Sequence, residues 1–233
     1  MIQVQYEYLI FNLIVLSGPL FFGLLKPFYF VHKWIYAFIS IFVVGIPYII
    51  WDSIVTGSHW MFNDNHVLGL YFLNLPIEEW MFFITVPFAC LFTWEMIIRR
   101  VKSSRIEKMK IIRQVLYFLP IPGFYLFFAG LEYTGLVFIF ISIAIVIDQI
   151  LETDLFLRKE FYFYLLMIIG FTLVFNGFLT GRPVVLYGES YQVGFRVFTI
   201  PIEDFGYGLS MLYLNTIVYE KLKSIQLFRL KSV

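Results

Sequence analysis

Seven apolar runs, each near the length of a membrane-spanning helix, succeed one another along this sequence. A bilayer core of about 30 Å requires about 20 helical residues, and a helix satisfies its own backbone groups in lipid. The runs lie at about 8–25, 34–55, 76–98, 114–130, 131–150, 161–180 and 199–220. Only 14% of the 233 residues are charged and the mean hydropathy is +0.83, which excludes an ordinary water-soluble globule. The sequence therefore predicts an all-α membrane protein with seven transmembrane helices.

Basic residues indicate how these spans are oriented. The segment from Arg99 to Arg113 holds seven Lys and Arg against one Glu, and the tail from Lys221 holds four with no acid. Because cytoplasmic loops are enriched in Lys and Arg, we expect both segments in the cytoplasm and the N-terminus outside. The expected location is the cytoplasmic (inner) membrane. The first residues lack the basic region and cleavage site of a signal peptide, so we expect the first run to remain as a span.

An eight-residue motif occurs twice. P-I-E-E-W-M-F-F begins at Pro76, and P-I-E-D-F-G-Y-G begins 125 residues later at Pro201. An offset of four spans gives both copies the same orientation, so we predict two parallel three-helix repeats joined by a connector helix. The predicted division is a first repeat at 1–100, a basic cytoplasmic loop with the connector at 101–130, and a second repeat at 131–233.

A second pair of matches supports the repeat. W-D-S-I-V-T-G from Trp51 is echoed by F-N-G-F-L-T-G from Phe175, at an offset of 124 residues. Asp52 then corresponds to Asn176. Because parallel repeats suggest a two-fold pseudo-axis along the membrane normal, we expect a site between the halves.

The repeated motifs place four carboxylates within apolar runs: Glu78, Glu79, Glu203 and Asp204. An intramembrane acid is costly and is by default a functional hypothesis, with a hydrogen-bonded polar lock between helices as the structural alternative. Buried carboxylates without cationic partners take up protons, whereas a helix N-terminus favours the ionised form. We therefore expect some of the four to be protonated and some ionised, as joint acid and base catalysis requires.

Other side chains have more ordinary interpretations. Aromatic rings one helical turn from the acids, Phe82, Phe83 and Tyr207, could stabilise positive charge. The single cysteine, Cys90, excludes an internal disulfide and is expected to be a small core residue. Glu95 and Glu220 are expected to be ion-paired helix ends, Glu95 with Arg99.

Several classes of membrane and soluble protein are excluded. Three histidines are too few for a membrane di-iron enzyme. The last span lacks a lysine for a retinal Schiff base, and no G-x-G-x-x-G follows a strand pattern. The basic segment has no interleaved aromatics, so nucleic-acid binding is not expected. We expect no metal site and no cofactor.

The motifs resemble a known family. W-D at Trp51 and Asp52, the tryptophan at Trp60 and the two P-I-E motifs are similar to those of the small integral-membrane lycopene cyclases. These occur as two three-helix subunits, as a fused chain, and as the cyclase half of bifunctional fungal carotenoid enzymes. The sequence resembles the fused form over essentially its whole length.

The resemblance implies an isomerase of carotenoid biosynthesis, a lycopene β-cyclase. An acid would protonate the terminal double bond of an acyclic ψ end, the cation would close a ring, and a base would remove a ring proton, without net redox chemistry. We expect Glu78 or Glu203 to be the acid. The expected bases or electrostatic stabilisers are Glu79, Asp204 and Asp52, and the expected substrate contacts are Trp51, Trp60, Phe82, Phe83, Asn176 and Tyr207.

Differences between the two halves bear on the number of sites. Asn176, Gly206 and Gly208 replace Asp52, Met81 and Phe83 in the second half. We therefore expect one site assembled from both halves. The expected partners are a long apolar carotenoid, membrane lipid and other carotenoid-pathway enzymes. Alternatives are a cyclase acting on neurosporene or a C50 carotenoid, a proton-coupled transporter, or a carotenoid-binding protein.

Overall fold

The computed structural model describes the backbone of residues 4–231 and the side chains of residues 5–225. Its helices are α1 (Glu7–Leu24), α2 (Trp34–Val55), α3 (Ile77–Arg100), α4 (Met109–Leu116), α5 (Pro120–Phe128), α6 (Glu132–Ile150), α7 (Lys159–Gly181) and α8 (Ile202–Lys231). Its strands are β1 (Trp60–Phe62), β2 (Tyr71–Phe72), β3 (Leu75–Pro76), β4 (Val185–Tyr187), β5 (Arg196–Val197) and β6 (Ile200–Pro201). The N-terminal residues 1–3 and the side chains of Arg229 and Lys231 in the predicted basic tail lie outside this description.

The described helices suit a membrane. Six segments are long and apolar enough to cross one: Glu7–Leu24, Phe30–Val55, Ile77–Arg100, Met109–Phe128, Glu132–Ile150 and Lys159–Gly181. The bundle exposes large aliphatic and aromatic side chains such as Phe42, Ile46, Leu166 and Val174, as a lipid-facing surface does. The predicted seventh run forms α8, which carries two acids in its first turn and packs against α2, α6 and α7.

The connector differs from the single helix that we predicted at 114–130. It consists of α4 and α5, separated by a turn at 117–119. Pro120 is the first residue of α5, where proline is favoured because its missing N–H would have no helical partner. The turn at 117–119 lies directly before this proline.

The two predicted repeats are confirmed by the positions of the elements. α1 and α6 begin 125 residues apart, at Glu7 and Glu132. α3 and α8 begin at Ile77 and Ile202, again 125 residues apart. The β2–β3 hairpin before α3 is repeated as the β5–β6 hairpin before α8. α4 and α5 lie between the two units.

One strand pair marks the pseudo-two-fold axis. β1 pairs antiparallel with β4, and Met61 lies opposite Leu186, its own counterpart 125 residues later. On either side of this pair, Trp60 lies opposite Tyr187 and Phe62 opposite Val185. At the offset of 125 residues, Trp60 corresponds to Val185 and Phe62 to Tyr187, so the two flanking pairs are equivalent to each other. The strands therefore pair as they would across the two-fold axis of a symmetric dimer.

At the opposite end of the bundle, charged and aromatic side chains join the halves. Lys33 and Lys223 both contact the fully buried Glu95, with 2.6 Å between Lys223 Nζ and Glu95 Oε1. Tyr219 donates a hydrogen bond of 2.7 Å to Glu95, and Trp94 Nε1 donates one of 2.8 Å to Glu220. Glu95 is thus ion-paired as predicted.

The predicted partner of Glu95 was wrong. The guanidinium of Arg99 donates to the carbonyl of Pro27 instead. Lysines from the turn before α2 and from α8 reach Glu95 because these elements meet there, which helical spacing within α3 alone could not indicate.

Candidate functional site

Each repeated motif delivers its second acid to the space between the halves. Glu79 and Asp204 lie in the first turns of α3 and α8, directly after the hairpin strands that end in Pro76 and Pro201. Both carboxylates are buried, with 7% and 3% of the residue exposed. The motif therefore fixes a carboxylate at the start of each of two central helices.

In the first half, Glu79 belongs to a buried polar cluster. Tyr8 on α1 donates a hydrogen bond to its carboxylate, and the Asp52 carboxyl group on α2 lies against it. Asp52 also accepts a hydrogen bond of 2.6 Å from Trp60 Nε1 and one of 3.2 Å from Thr56 Oγ1. Two carboxyl groups in contact are more stable when they share a proton.

In the second half, Asp204 has three donors. Tyr133 OH and Tyr187 OH each donate over 2.7 Å, and Asn176 Nδ2 donates over 3.0 Å. Tyr133 lies 125 residues after Tyr8, so the two tyrosines hold equivalent acids. Asn176 occupies the place of Asp52 but supplies a donor instead of a second carboxyl group, and three donors stabilise the ionised form of Asp204.

Tyr187 is a dependable donor. It lies in β4, outside the helices. Its pKa is raised well above the ordinary value, mainly by burial and to a smaller extent by the nearby Asp204 carboxylate. It therefore stays protonated, and its hydroxyl hydrogen remains available to Asp204 across the ordinary pH range.

The clusters from both halves open into one cavity. Its lining is Tyr8, Asp52, Trp60, Phe62, Glu79, Phe82, Val86, Cys90, Tyr133, Ile168, Phe171, Thr172, Phe175, Asn176, Leu179, Thr180, Val185, Tyr187, Asp204, Tyr207, Gly208, Met211 and Leu212. Carboxyl groups, phenols and an indole surround one end. From Glu79 to Cys90 the lining follows α3 for about 16 Å, and the side chains at the Cys90 end are mostly apolar.

The site residues that we predicted divide into two groups. Asp52, Glu79, Asp204, Trp60, Phe82, Asn176 and Tyr207 line the cavity. Glu78, Glu203, Trp51 and Phe83 are not among its lining residues. Trp51 packs edge-on against His59, and Phe83 is buried beside Phe82.

Glu78 and Glu203, the expected proton donors, face the loops instead of the cavity. Glu78 Oε1 accepts a hydrogen bond of 2.7 Å from the backbone N–H of Leu68. Glu203 Oε1 accepts one of 2.9 Å from the N–H of Val193 and one of 2.6 Å from Thr134. Each acid thus holds the loop residue ten positions before it, in equivalent places of the two repeats.

Sequence reasoning missed Tyr8, Tyr133 and Tyr187. The repeat offset contains a signal for the first two, because Glu7-Tyr8 and Glu132-Tyr133 are 125 residues apart, like the motifs. No comparable signal marks Tyr187, which reaches Asp204 because β4 pairs with β1 across the pseudo-axis.

Comparison with known proteins agrees with this geometry. The sequence model of the lycopene cyclase family matches residues 5–97 and 130–222, which together make up well over half of the chain. The chain belongs to the lycopene cyclase family. The two matched segments begin 125 residues apart, as the structural repeats do.

Membership of the lycopene cyclase family supports a carotenoid cyclase function and implies a carotenoid substrate. No curated protein and no solved structure matches the chain.

Proposed function

We propose that this protein is a lycopene β-cyclase, which converts the acyclic ψ ends of lycopene into β-ionone rings without net redox chemistry and without a flavin. The observation that carries the proposal is the meeting of three carboxyl groups, from both halves, at the polar end of one largely apolar cavity. A hydrocarbon chain suits the apolar part, and proton transfer suits the carboxyl end.

The Asp52–Glu79 pair is the proposed acid. Because the two carboxyl groups lie against each other, one shared proton relieves their repulsion and is held where a substrate can reach it. Tyr8 and Trp60 orient the pair by donating hydrogen bonds to it. The proton passes to the terminal carbon–carbon double bond of the ψ end, which leaves a tertiary cation.

Asp204 is the proposed base. Its three donors favour the carboxylate, which can accept the ring proton that is lost after the cation has closed onto the neighbouring double bond. One proton is added and another removed, so the substrate and the product are isomers. The aromatic faces of Trp60, Phe82 and Tyr207 line the same region and stabilise the positive charge.

Glu78 and Glu203 have a positioning role in this proposal. Each carboxylate accepts a loop N–H, which fixes the hairpin before its helix and so the depth of the neighbouring acid. Phe83 packs against the lining residue Phe82, and Trp51 packs against His59, which in turn contacts Trp60.

The proposed topology has seven spans, with α8 as the last and α4–α5 as the connector between repeats at 1–100 and 131–233. The basic segment from Arg99 to Arg113 and the C-terminus lie in the cytoplasm, the N-terminus lies outside, and the protein resides in the cytoplasmic membrane. The carboxyl end of the cavity is then near the outer surface.

Expression in a bacterial host that accumulates lycopene tests the proposal. Extracted pigments are separated by chromatography from cells with and without the gene, and insertion of the protein is verified by immunoblotting of membranes. Appearance of β- or γ-carotene is the expected result. Unchanged lycopene beside inserted protein would contradict lycopene cyclisation, and repeating the assay with neurosporene or a C50 carotenoid would then test the alternative substrates.

A further inference from the structure

α7 forms one wall of the cavity, and its counterpart in the first half, α2, carries different side chains at the equivalent positions. α2 and α7 correspond at an offset of 124 residues, because Thr56 and Thr180 each donate to the carbonyl four residues earlier, that of Asp52 and of Asn176. By the same offset, Tyr48 on α2 corresponds to Thr172 on α7. Both are buried and face the interior of the bundle.

Thr172 leaves space open in the second half, whereas Tyr48 fills the equivalent space in the first half. Thr172 lines the apolar part of the cavity, and its hydroxyl is bonded back to its own helix at Ile168. Tyr48 is fully buried, its hydroxyl lies 2.8 Å from Ser210 Oγ, and its ring centroid lies 5.0 Å from those of Tyr207 and Phe140. Of α2, only Asp52 reaches the cavity.

A second pair of equivalent residues shows the same difference. Gly208 on α8 lines the cavity, and a Cβ atom built there meets no atom within 4 Å. Its counterpart on α3, 125 residues earlier, is Phe83, which is 2% exposed and does not line the cavity. The packing of the helices shows the same asymmetry. The pairs α2–α8 and α7–α3 are equivalent in the two halves, and α2 packs more closely against α8 than α7 packs against α3.

We propose that Thr172 and Gly208 create a single off-axis passage for the polyene chain, and that Tyr48 and Phe83 close the equivalent passage in the other half. The passage runs below the acids along Val86, Cys90, Ile168 and Leu212. The inference rests on the proposed function and goes beyond it, because it makes the enzyme one-sided. The carboxyl end of the cavity is nearly symmetric, but only one passage leads away from it. A bound carotenoid therefore places one of its ends at the acids and its polyene chain in that passage. The second end of the same molecule can react only after the carotenoid has been released and has bound again.

Filling the passage tests this proposal. Gly208→Phe and Thr172→Tyr each place the aromatic ring of the other half into the open side. We expect each variant to retain at least about tenfold less lycopene per purified protein and to form correspondingly less product, since the cavity cannot accommodate both ring and polyene. Retained pigment is measured by absorbance, independently of cyclisation.

Gly170→Phe is the matched control. Gly170 lies on the same helix as Thr172, is exposed at the surface of the bundle, and has no atom within 4 Å of a built Cβ. It should retain pigment and cyclise as the wild type does. Gly208→Phe and Thr172→Tyr proteins that insert normally and bind and cyclise lycopene like the control would overturn the passage.

A labelling experiment on the wild-type chain guards against variants that fail to fold. Cys90 is the single cysteine, is buried and lines the passage, so a small membrane-permeant thiol reagent should label it slowly in a host without carotenoids. Lycopene should slow that labelling. In a Cys90→Ser background, Asn215→Cys places a thiol at the equivalent buried position on the closed side, and we expect little labelling with or without lycopene.

Equal labelling of the two positions, or labelling of Cys90 that lycopene does not slow, would contradict the one-sided passage. These outcomes are distinct from failure of the proposed function. Retention and protection report binding alone, whereas a wild-type protein that binds lycopene without forming a ring would refute the cyclase assignment and leave the passage standing.

Discussion

Adjacent acids in each motif have different surroundings because neighbouring helical residues point about 100° apart. Glu79 faces the cavity and Tyr8, whereas Glu78 faces the loop and the N–H of Leu68. The same division separates Asp204 from Glu203. A carboxylate occupied by a backbone donor positions the chain, and one that borders the cavity can exchange protons with a substrate.

Substitutions at neighbouring acids should therefore have opposite outcomes. Glu79→Gln and Asp204→Asn should each lower the rate of ring formation at least about a hundredfold, because an amide neither delivers nor accepts the proton. Glu78→Gln and Glu203→Gln should stay within about threefold of the wild type, since a side-chain amide oxygen still accepts the loop N–H. Rates are measured as cyclised pigment formed per inserted protein. A loss in Glu78→Gln as large as that in Glu79→Gln would restore the assignment expected from the sequence.

Removing one donor from Asp204 should have a smaller effect. Tyr187→Phe deletes a hydrogen bond of 2.7 Å and should slow ring formation about tenfold, because the carboxylate keeps Tyr133 and Asn176. Tyr191→Phe is the control, since Tyr191 stacks on His59 and lies outside the cavity lining. Initial rates in isolated membranes compare the two, and equal rates would show that Tyr187 does not support the base.

The sequence could identify the acidic motifs, but it could not orient them. Which of two consecutive glutamates faces inward depends on the helix start and on the packing of α1, and neither is encoded by local spacing. The contact of Tyr187 with Asp204 could not be predicted either, because it depends on strand pairing between distant segments.

At the scale of elements, small residues set the closest helix contacts. A Cβ on Gly206 of α8 would lie 2.3 Å from Val137 Cγ1 of α6. The equivalent of Gly206 in the first half is Met81, and the equivalent of Val137 is Asn12. Glycine is thus required at position 206, because α6 and α8 pack too closely there to leave room for a side chain.

Gly206→Ala should accordingly destabilise the protein by about 1–3 kcal/mol, through overpacking against Val137. Thermal unfolding in detergent, followed by circular dichroism, measures the change. Adding Val137→Ala should recover part of the loss, and Gly170→Ala, where the Cβ meets nothing, should cause none. An unfolding temperature for Gly206→Ala equal to that of Gly170→Ala would contradict the close contact.

Element lengths and their repetition were well predicted, because membrane thickness and a 125-residue offset leave few alternatives. The division of the connector into α4 and α5 was missed. Hydropathy averages across the turn at 117–119, so the apolar run reads as continuous although Pro120 starts a new helix.

For the whole molecule, contacts between the halves hold the shared cavity together. At the end away from the acids, Glu95 receives Lys33 from its own half and Lys223 and Tyr219 from the other. Glu95→Gln should lower the free energy of unfolding by about 1–3 kcal/mol, because Lys33 loses its buried counter-charge and Lys223 keeps only Glu220. Glu107→Gln, in an exposed pair with Lys110, should leave the unfolding temperature unchanged. Equal unfolding temperatures for the two variants would show that the halves do not depend on this cluster.

The central claim is that carboxyl groups from both halves perform proton chemistry on a carotenoid held in one cavity. Cyclisation of lycopene by the wild-type protein in D2O, followed by mass spectrometry of the product, tests it most directly. The acid should deliver a solvent-derived deuteron to the terminal double bond and the base should remove a different proton, so each ring formed carries one deuterium. Rings without deuterium, or rings formed only after a reduced flavin is added, would contradict the account.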